Sequence, residues 1–431
     1  MWLALAAALL GWMFDGFEMG IFPVAGRPAL MALIASSEAR SPADSTDSQA
    51  QAAAKNYLDA QVGQWFGWIT ATFLVGAACG GWLFGWLGDR LGRVRAMVLS
   101  VLTYAVFSGL CGLALAPWHL AVLRFVSALG MGGEWALGVA LVMEVWPERT
   151  RPLLAGLIGA AGNCGYVLAG MLATAVQQFK VDLGAGGWRW VFAACVLPAV
   201  LTFFLRTFVP ESVKWQEAAA SGTRPRMADI FTPAVRGRAL LGFALGGVAL
   251  IGTWGSVQWV PSWVGKLTDN QQAMNNAQMC SGLGAIVGSF LGGVIGARLG
   301  RRWTYFGLCL GSLLTCAYLF RWQLLLHPQV DGWFLAVVAL VGALTASFYG
   351  WLPLYLPELF PTRLRATGQG FSYNAGRAIA AVGALCTGFL MTKEVFDGSY
   401  ARAGAAMSLI YVVGLVVIWF APETRGRPLP E

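Results

Sequence analysis

Twelve long apolar runs, separated by short polar or charged breaks, follow one another from end to end of the chain. Their approximate limits are 2–25, 61–87, 95–115, 119–143, 153–176, 188–209, 239–264, 276–297, 303–320, 333–356, 367–391 and 403–420. A run of about 20 apolar residues is long enough to cross the hydrocarbon core of a bilayer as a helix. Inside lipid the backbone has no water to bond, and a helix satisfies its N–H and C=O groups internally. The reading is therefore an all-α membrane protein of twelve transmembrane helices. With 57% of 431 residues apolar and 12% charged, the chain lacks the polar surface to cover a soluble fold. A soluble enzyme, a disordered chain and a nucleic-acid binder are excluded on that ground.

The first run carries Asp15 and Glu18, is too long and lacks a basic start, so it reads as a span and not as a signal peptide. Lysines and arginines set the orientation. Seventeen fall in one set of connections, among them Arg90, Arg93, Arg95, Arg149, Arg151, Arg301, Arg363 and Arg425, and eight fall in the other. This predicts that both termini and the 210–238 connection are cytoplasmic, as in a multi-pass protein of the cell's inner (plasma) membrane. The net charge of +8 is the signature of that asymmetry. The absence of any N-x-S/T sequon points to a prokaryotic source. The eight cysteines all lie in apolar runs without a CxxC pair, and the two histidines, His119 and His327, sit at span ends. Neither a disulfide framework nor a metal site nor a histidine proton relay is expected. Residues 36–60 read as a polar outer loop.

The chain repeats itself. Gly85-Trp86-Leu87-Gly88-Asp89-Arg90-Leu91-Gly92-Arg93 matches Gly293-Val294-Ile295-Gly296-Ala297-Arg298-Leu299-Gly300-Arg301 at an offset of 208. Glu144, Pro147, Arg149, Arg151, Gly156 and Gly162 match Glu358, Pro361, Arg363, Arg365, Gly370 and Gly376 at an offset of 214. Pro210-Glu211-Ser212 matches Pro422-Glu423-Thr424 at an offset of 212. Six spans separate the equivalents, so the halves run in the same direction, a parallel repeat of the kind that builds transporters. The expected units are a six-helix bundle over 1–209, a cytoplasmic linker over 210–238, and a second six-helix bundle over 239–431.

Gly85–Arg93 resembles the signature loop between the second and third spans of the major facilitator superfamily. Val209-Pro210-Glu211-Ser212-Val213-Lys214-Trp215 and Pro422-Glu423-Thr424-Arg425-Gly426 resemble the ends of spans six and twelve in its sugar and metabolite porters. Asp15-Gly16-Phe17-Glu18 is similar to the acidic span-one motif of the aromatic acid:H+ symporters. Gly132-Gly133-Glu134-Trp135, Pro357-Glu358-Leu359-Phe360-Pro361-Thr362 and Tyr373-Asn374-Ala375-Gly376-Arg377 resemble the sialate:H+ symporters. The resemblance covers the whole chain. It departs at Ala297, which stands where the second signature loop would carry an acid. The Gly-Pro motif of drug antiporters is absent from span five, where Gly162-Asn163-Cys164-Gly165-Tyr166 stands.

Six formal charges lie inside predicted spans: Asp15, Glu18, Arg124, Glu134, Arg206 and Arg377. A charge at mid-bilayer costs about 2.5–3.5 kcal/mol on insertion scales, so each is expected to face a cavity or a partner. Asp15 and Glu18 share a helix face, and two neighbouring carboxylates resist double ionisation. They are candidates for carrying a proton, together with Glu134. The resemblance places spans one and four side by side at the cavity, so Arg124 could meet Asp15 or Glu18. Arg206 reads as snorkelling to the interface. Arg377 lies near mid-membrane and its repeat equivalent is Asn163, which leaves one half cationic and the other neutral. Guanidinium matches a carboxylate, so Arg377 and Arg124 are candidates for holding an anionic substrate. Asn163, Asn374, Trp254 and Gln258 are the accompanying candidates. Asp89, Arg90, Arg93, Glu144, Arg149, Glu358 and Arg363 are expected to cross-link helix ends and gate the cavity.

The expected function is proton-coupled uptake of a small organic anion, such as a sialic, shikimate-like or aromatic carboxylate, by alternating access. The alternatives are a sugar or organic-cation porter, or a substrate sensor on the same scaffold. No catalytic constellation, nucleotide loop, cofactor or metal is expected. The partners are the substrate, H+ and lipid, with a monomer as the working unit.

Overall fold

The structure, a computed structural model, describes residues 2–37, 48–179, 186–196, 200, 207–220, 225–327, 329–385, 395–396 and 399–430. Every regular element among them is helical. Among the described residues, ten helices are long and apolar enough to cross a membrane. They correspond to the expected spans except 188–209 and 367–391, each of which runs into residues outside the described set. Arg206 is one of these. Two boundaries differ from expectation. The first helix continues over Trp2–Ser37, and the second begins at Ser48, so 48–60 is helix where a loop was expected. Alanines at 50, 52, 53 and 54 account for this, since alanine is the strongest helix former. The 210–238 connection holds two short helices, Val213–Ala220 and Met227–Phe231.

The repeat is visible in the packing. Across the halves, the span-two helix Ser48–Leu91 packs on the span-eleven helix Arg365–Leu385. Its pseudo-symmetric counterpart is the span-eight helix Gln271–Leu299 against the span-five helix Arg151–Gln178. Sharp reversals before spans three and nine use Gly92 and Gly300, whose φ values of 110° and 91° favour glycine. In both halves a glutamate accepts from the N–H that follows. Glu211 Oε1 receives Arg93 N at 2.9 Å, and Glu423 Oε1 receives Arg301 N at 3.0 Å. A carboxylate there meets the unbonded N–H groups and positive end of a helix. Burial alone would raise the Glu423 carboxyl, but N–H groups of Arg301, Arg302 and Arg425 hold it below the usual carboxylate range. This cap therefore stays charged at neutral pH and is lost as the pH falls through that depressed value.

Close crossings depend on small residues. Gly284, Gly288 and Gly292 form one stripe on span eight, and a Cβ at each would overlap the carbonyls of Ala339, Ala343 and Ser347. Gly288→Val is expected to cost about 1–3 kcal/mol through overpacking, read as a lower melting temperature in detergent. Gly307→Val, where nothing lies within 4 Å of the added atom, is the control and is expected to leave it unchanged.

Candidate functional site

A cavity lies between the halves. Its wall comes from spans one, five, seven, eight, ten and eleven, and it includes Trp12, Asn163, Tyr166, Trp254, Gln258, Gln278, Tyr349, Tyr373 and Arg377. Five of these are aromatic and three are amides. Among the described residues lining it, Arg377 is the one with a formal charge. Its side chain is 2% exposed. Nη1 donates to Asn374 Oδ1 at 2.7 Å, while Nε has no hydrogen-bond partner among the described residues. Its guanidinium carbon lies 5.5 Å from the Tyr373 ring centroid. That ring stacks on Trp135 of span four, with centroids 3.7 Å apart, and so joins the two halves beneath the cavity. A buried cation with an open donor and aromatic walls is suited to a carboxylate on a flat or apolar body.

The other candidates separate by position. Trp254, Gln258 and Asn163 line the cavity. Asn163 Nδ2 also donates to Ser289 Oγ across the halves at 3.0 Å. Asn374 is fully buried and lies behind Arg377, outside the lining. Arg124 lies outside it as well, ion-paired to Glu18 and stacked at 4.3 Å from the Phe73 and 5.0 Å from the Phe22 ring centroid. Ser108 Oγ donates to the same Glu18 oxygen at 2.9 Å. Asp15 is buried one residue from Gly16 of the lining and within electrostatic reach of Tyr373. Glu134 is buried in span four, outside the lining. Tyr166, Gln278 and Tyr349 were not singled out from the sequence. Gln278 and Tyr166 follow polar or glycine-rich stretches of their helices, a signal that was legible.

The arginine-rich face beneath the cavity is closed by charge. Arg93 pairs with Asp89 and, through Nη2 at 2.9 Å, with Glu144. Its Nη2 also donates to Thr362 O of the opposite half at 2.8 Å. Glu144 Oε1 accepts from Arg365 Nη1 at 2.9 Å, again across the halves. Asp89 Oδ1 accepts from Ala366 N at 3.1 Å, and its Oδ2 from Thr367 N at 2.7 Å and Thr367 Oγ1 at 2.5 Å. Asp89 thus caps the span-eleven helix of the other half.

The second copy repeats the clamp but not the crossing. Arg301 pairs with Glu358 at 2.6 Å, and Thr424 Oγ1 donates to Glu358 Oε2 at 2.5 Å, as Ser212 Oγ does to Glu144 Oε2 at 2.6 Å. Both contacts stay within the second half. The repeat offsets put Ala297 at the Asp89 position and Pro152 and Leu153 at the Ala366 and Thr367 positions. The acid, the hydroxyl and one of the two amide donors are missing there, and Arg151 donates instead to Met143 O and Glu148. Glu358 therefore meets Arg301 and not Arg363. Arg149 and Arg363 are exposed, and their neighbours Arg151 and Arg365 point inward. Arg90 is exposed over Trp86, 5.1 Å from the ring centroid.

Two repeated helical halves around a polar, aromatic cavity, closed by charge at one face, define a membrane transporter. The chain belongs to the major facilitator superfamily. The profile described as "Sugar (and other) transporter" matches residues 3–224, and that described as "Major Facilitator Superfamily" matches 268–431. A protein of Cupriavidus pinatubonensis described as "Probable 4-methylmuconolactone transporter" is 31% identical over 82% of this chain and 80% of its own. The cis,cis-muconate transport protein of Acinetobacter baylyi is 28% identical over 84% of this chain and 86% of its own. Among solved structures, the proton:xylose symporter XylE bound to 6-bromo-6-deoxy-D-glucose matches with a TM-score of 0.77. That match covers 99% of this chain and 97% of XylE at 19% identity, a likeness of fold. Members of this family are transporters and not enzymes.

Asp89→Asn weakens the cap on the opposite helix. With spin labels at Arg90→Cys and Arg363→Cys in a cysteine-replaced background, it is expected to lengthen the distance between the halves in a larger share of molecules. Ala297→Asn, placed in the copy without a crossing bond, is expected to leave that distribution unchanged.

Proposed function

We propose that the protein takes up a small organic anion together with protons, by alternating access, across the inner membrane. Arg377 carries this reading: it is a buried cation at the cavity wall, with an Nε that has no hydrogen-bond partner among the described residues. The substrate carboxylate takes that open donor. Its body lies against Trp12, Trp254 and Tyr349, and Asn163, Gln258 and Gln278 take its remaining polar atoms. Aromatic, shikimate-like and sialic carboxylates fit this chemistry. The muconate and methylmuconolactone named for the two relatives support the same class.

The proton resides on the Asp15–Glu18 pair. Glu18 is balanced by Arg124 in a chamber closed by Phe22 and Phe73. Asp15 adjoins the cavity. With one of the two carboxyls protonated the other keeps the arginine, and the group carries no net charge while the proton is held. Glu134 remains a candidate for passing the proton inward. Twelve spans, cytoplasmic termini, bundles over 1–209 and 239–431 joined by 210–238, and a working monomer complete the reading. Arg90, Arg93, Glu144, Arg149, Glu358 and Arg363 line the cytoplasmic face whose opening releases substrate.

Arg377→Lys keeps the charge and removes the planar fork. Uptake of a radiolabelled substrate by cells is expected to fall at least about tenfold, the equivalent of about 1.4 kcal/mol. Unchanged apparent affinity would remove Arg377 from the site. Asp15→Asn and Glu18→Gln are expected to abolish accumulation against a gradient. Either variant keeping full proton-driven accumulation would take that residue out of the proton path, and if both kept it the assignment would be wrong.

A further inference from the structure

Among the described residues the Arg377 head group makes one side-chain hydrogen bond, and that bond leads toward the other half. Its Nη1 donates to Asn374 Oδ1 at 2.7 Å, one helical turn earlier. Asn374 in turn donates from Nδ2 to Gly132 O in span four at 3.1 Å, and to Gly370 O of its own helix at 3.0 Å. The amide is fully buried. It also fills the space beside Gly81 in span two, where any Cβ would overlap it. Asn374 therefore sits where spans two, four and eleven cross. On its own helix it stands seven residues, about 10.5 Å, from Thr367, the group that Asp89 caps. The repeat equivalent of Asn374 is Ala160, so this contact has no counterpart in the first half.

An amide has one accepting end and one donating end. A cationic donor at Oδ1 makes the stronger bond and fixes which end faces which way. With Arg377 on Oδ1, Nδ2 must face Gly132 O. Turned over, the amide would set its oxygen against that carbonyl and its NH2 against the guanidinium. Arg377 thus adds to Gly132 O and Gly370 O in fixing the amide's orientation, and losing it weakens the cross-half bond.

We propose that Asn374 is a positioning residue that couples occupancy of the cavity to closure of the arginine-rich face. It rests on the reading of Arg377 as the anion site. An empty site holds the guanidinium on Asn374, and the amide ties span eleven to Gly132 of the opposite half. A substrate carboxylate draws Nη1 toward itself, the amide loses the donor at its oxygen, and the cross-half bond is weakened. Binding energy at the cavity is in this way converted to opening of the opposite face. The signature-loop clamp at Asp89 supplies most of the closure, and Asn374 supplies its sensitivity to substrate.

The test is a double-mutant cycle without substrate. The Arg90→Cys/Arg363→Cys spin-label pair is measured in Asn374→Ala, Arg377→Ala and the double variant. Each single substitution is expected to raise the open-to-closed ratio about 2- to 10-fold, the worth of one buried hydrogen bond. The double variant is expected to go no further than the larger single one, because both remove the same link. Multiplying effects, or no effect of Asn374→Ala, would overturn the proposal. Asn374→Asp is the second variant, which keeps the size and the acceptor for Arg377 but loses the N–H. It is expected to open the face as the alanine does, and a closed distribution would count against the amide bond. A second arm adds cis,cis-muconate and benzoate as probes, with binding followed by quenching of tryptophan fluorescence. A probe that binds is expected to shift the wild type and leave Asn374→Ala unmoved although it still binds. An equal shift in both would refute the coupling. If neither probe binds the wild type, the anion reading of the cavity fails for these compounds, and the substrate-free cycle still decides the link.

Discussion

Arg93 is a guanidinium wholly removed from water, and the closed face is organised around it. Each of its five N–H donors has a partner: Gly88 O, Asp89, two oxygens of Glu144, and Thr362 O. The last of these belongs to the opposite half. Breaking such a set by removing one charge costs about 3–5 kcal/mol, because the others are left uncompensated. The clamp therefore holds as a unit or parts as a unit. Arg365 and Asp89 extend it across the halves, and Glu211 and Ser212 tie it to the linker side. A closure of this kind can alternate between two states, which is what a carrier needs.

The two copies of the clamp have diverged in a particular way. Arg301, Glu358, Thr424 and Glu423 reproduce the internal bonds of Arg93, Glu144, Ser212 and Glu211 nearly atom for atom. What the second copy lacks is the acid and two of the groups it binds: Ala297 stands for Asp89, Pro152 for the Ala366 N–H, and Leu153 for the Thr367 hydroxyl. The same asymmetry reaches the cavity, where Arg377 faces Asn163 and Asn374 corresponds to Ala160. On the proposed reading, the anion site at Arg377, the link at Asn374 and the Ala366 and Thr367 groups that Asp89 caps all lie on the span-eleven helix Arg365–Leu385.

Much of this was legible in the sequence. Apolar run length marks the ten spans seen among the described residues, and the recurrence of Gly-x-x-Gly-x-Arg-x-Gly-Arg and Pro-Glu-Ser/Thr gives the internal symmetry. Intramembrane charge singles out Asp15, Glu18, Arg124 and Arg377 because such charges are costly. Sequence spacing could not decide partnership. Glu18 rather than Asp15 takes Arg124, since the choice depends on helix rotation. Arg365 reaches the other half while Arg363 points to solvent, a difference of half a helical turn. The role of Asn374 was also hidden, because an amide beside an arginine reads equally as a ligand to substrate or as its support. The helical start of span two at Ser48 was missed through reading polarity as loop, although its alanines favour helix.

The most direct test of the central claim uses purified protein in liposomes with an inward proton gradient and a pH indicator inside. A panel of organic anions, neutral sugars and organic cations is added outside, one at a time. The account predicts that one class of carboxylate acidifies the interior above leak, while sugars and cations do not. Acidification with a sugar or a cation, or substrate exchange across the membrane with no proton movement, would contradict it.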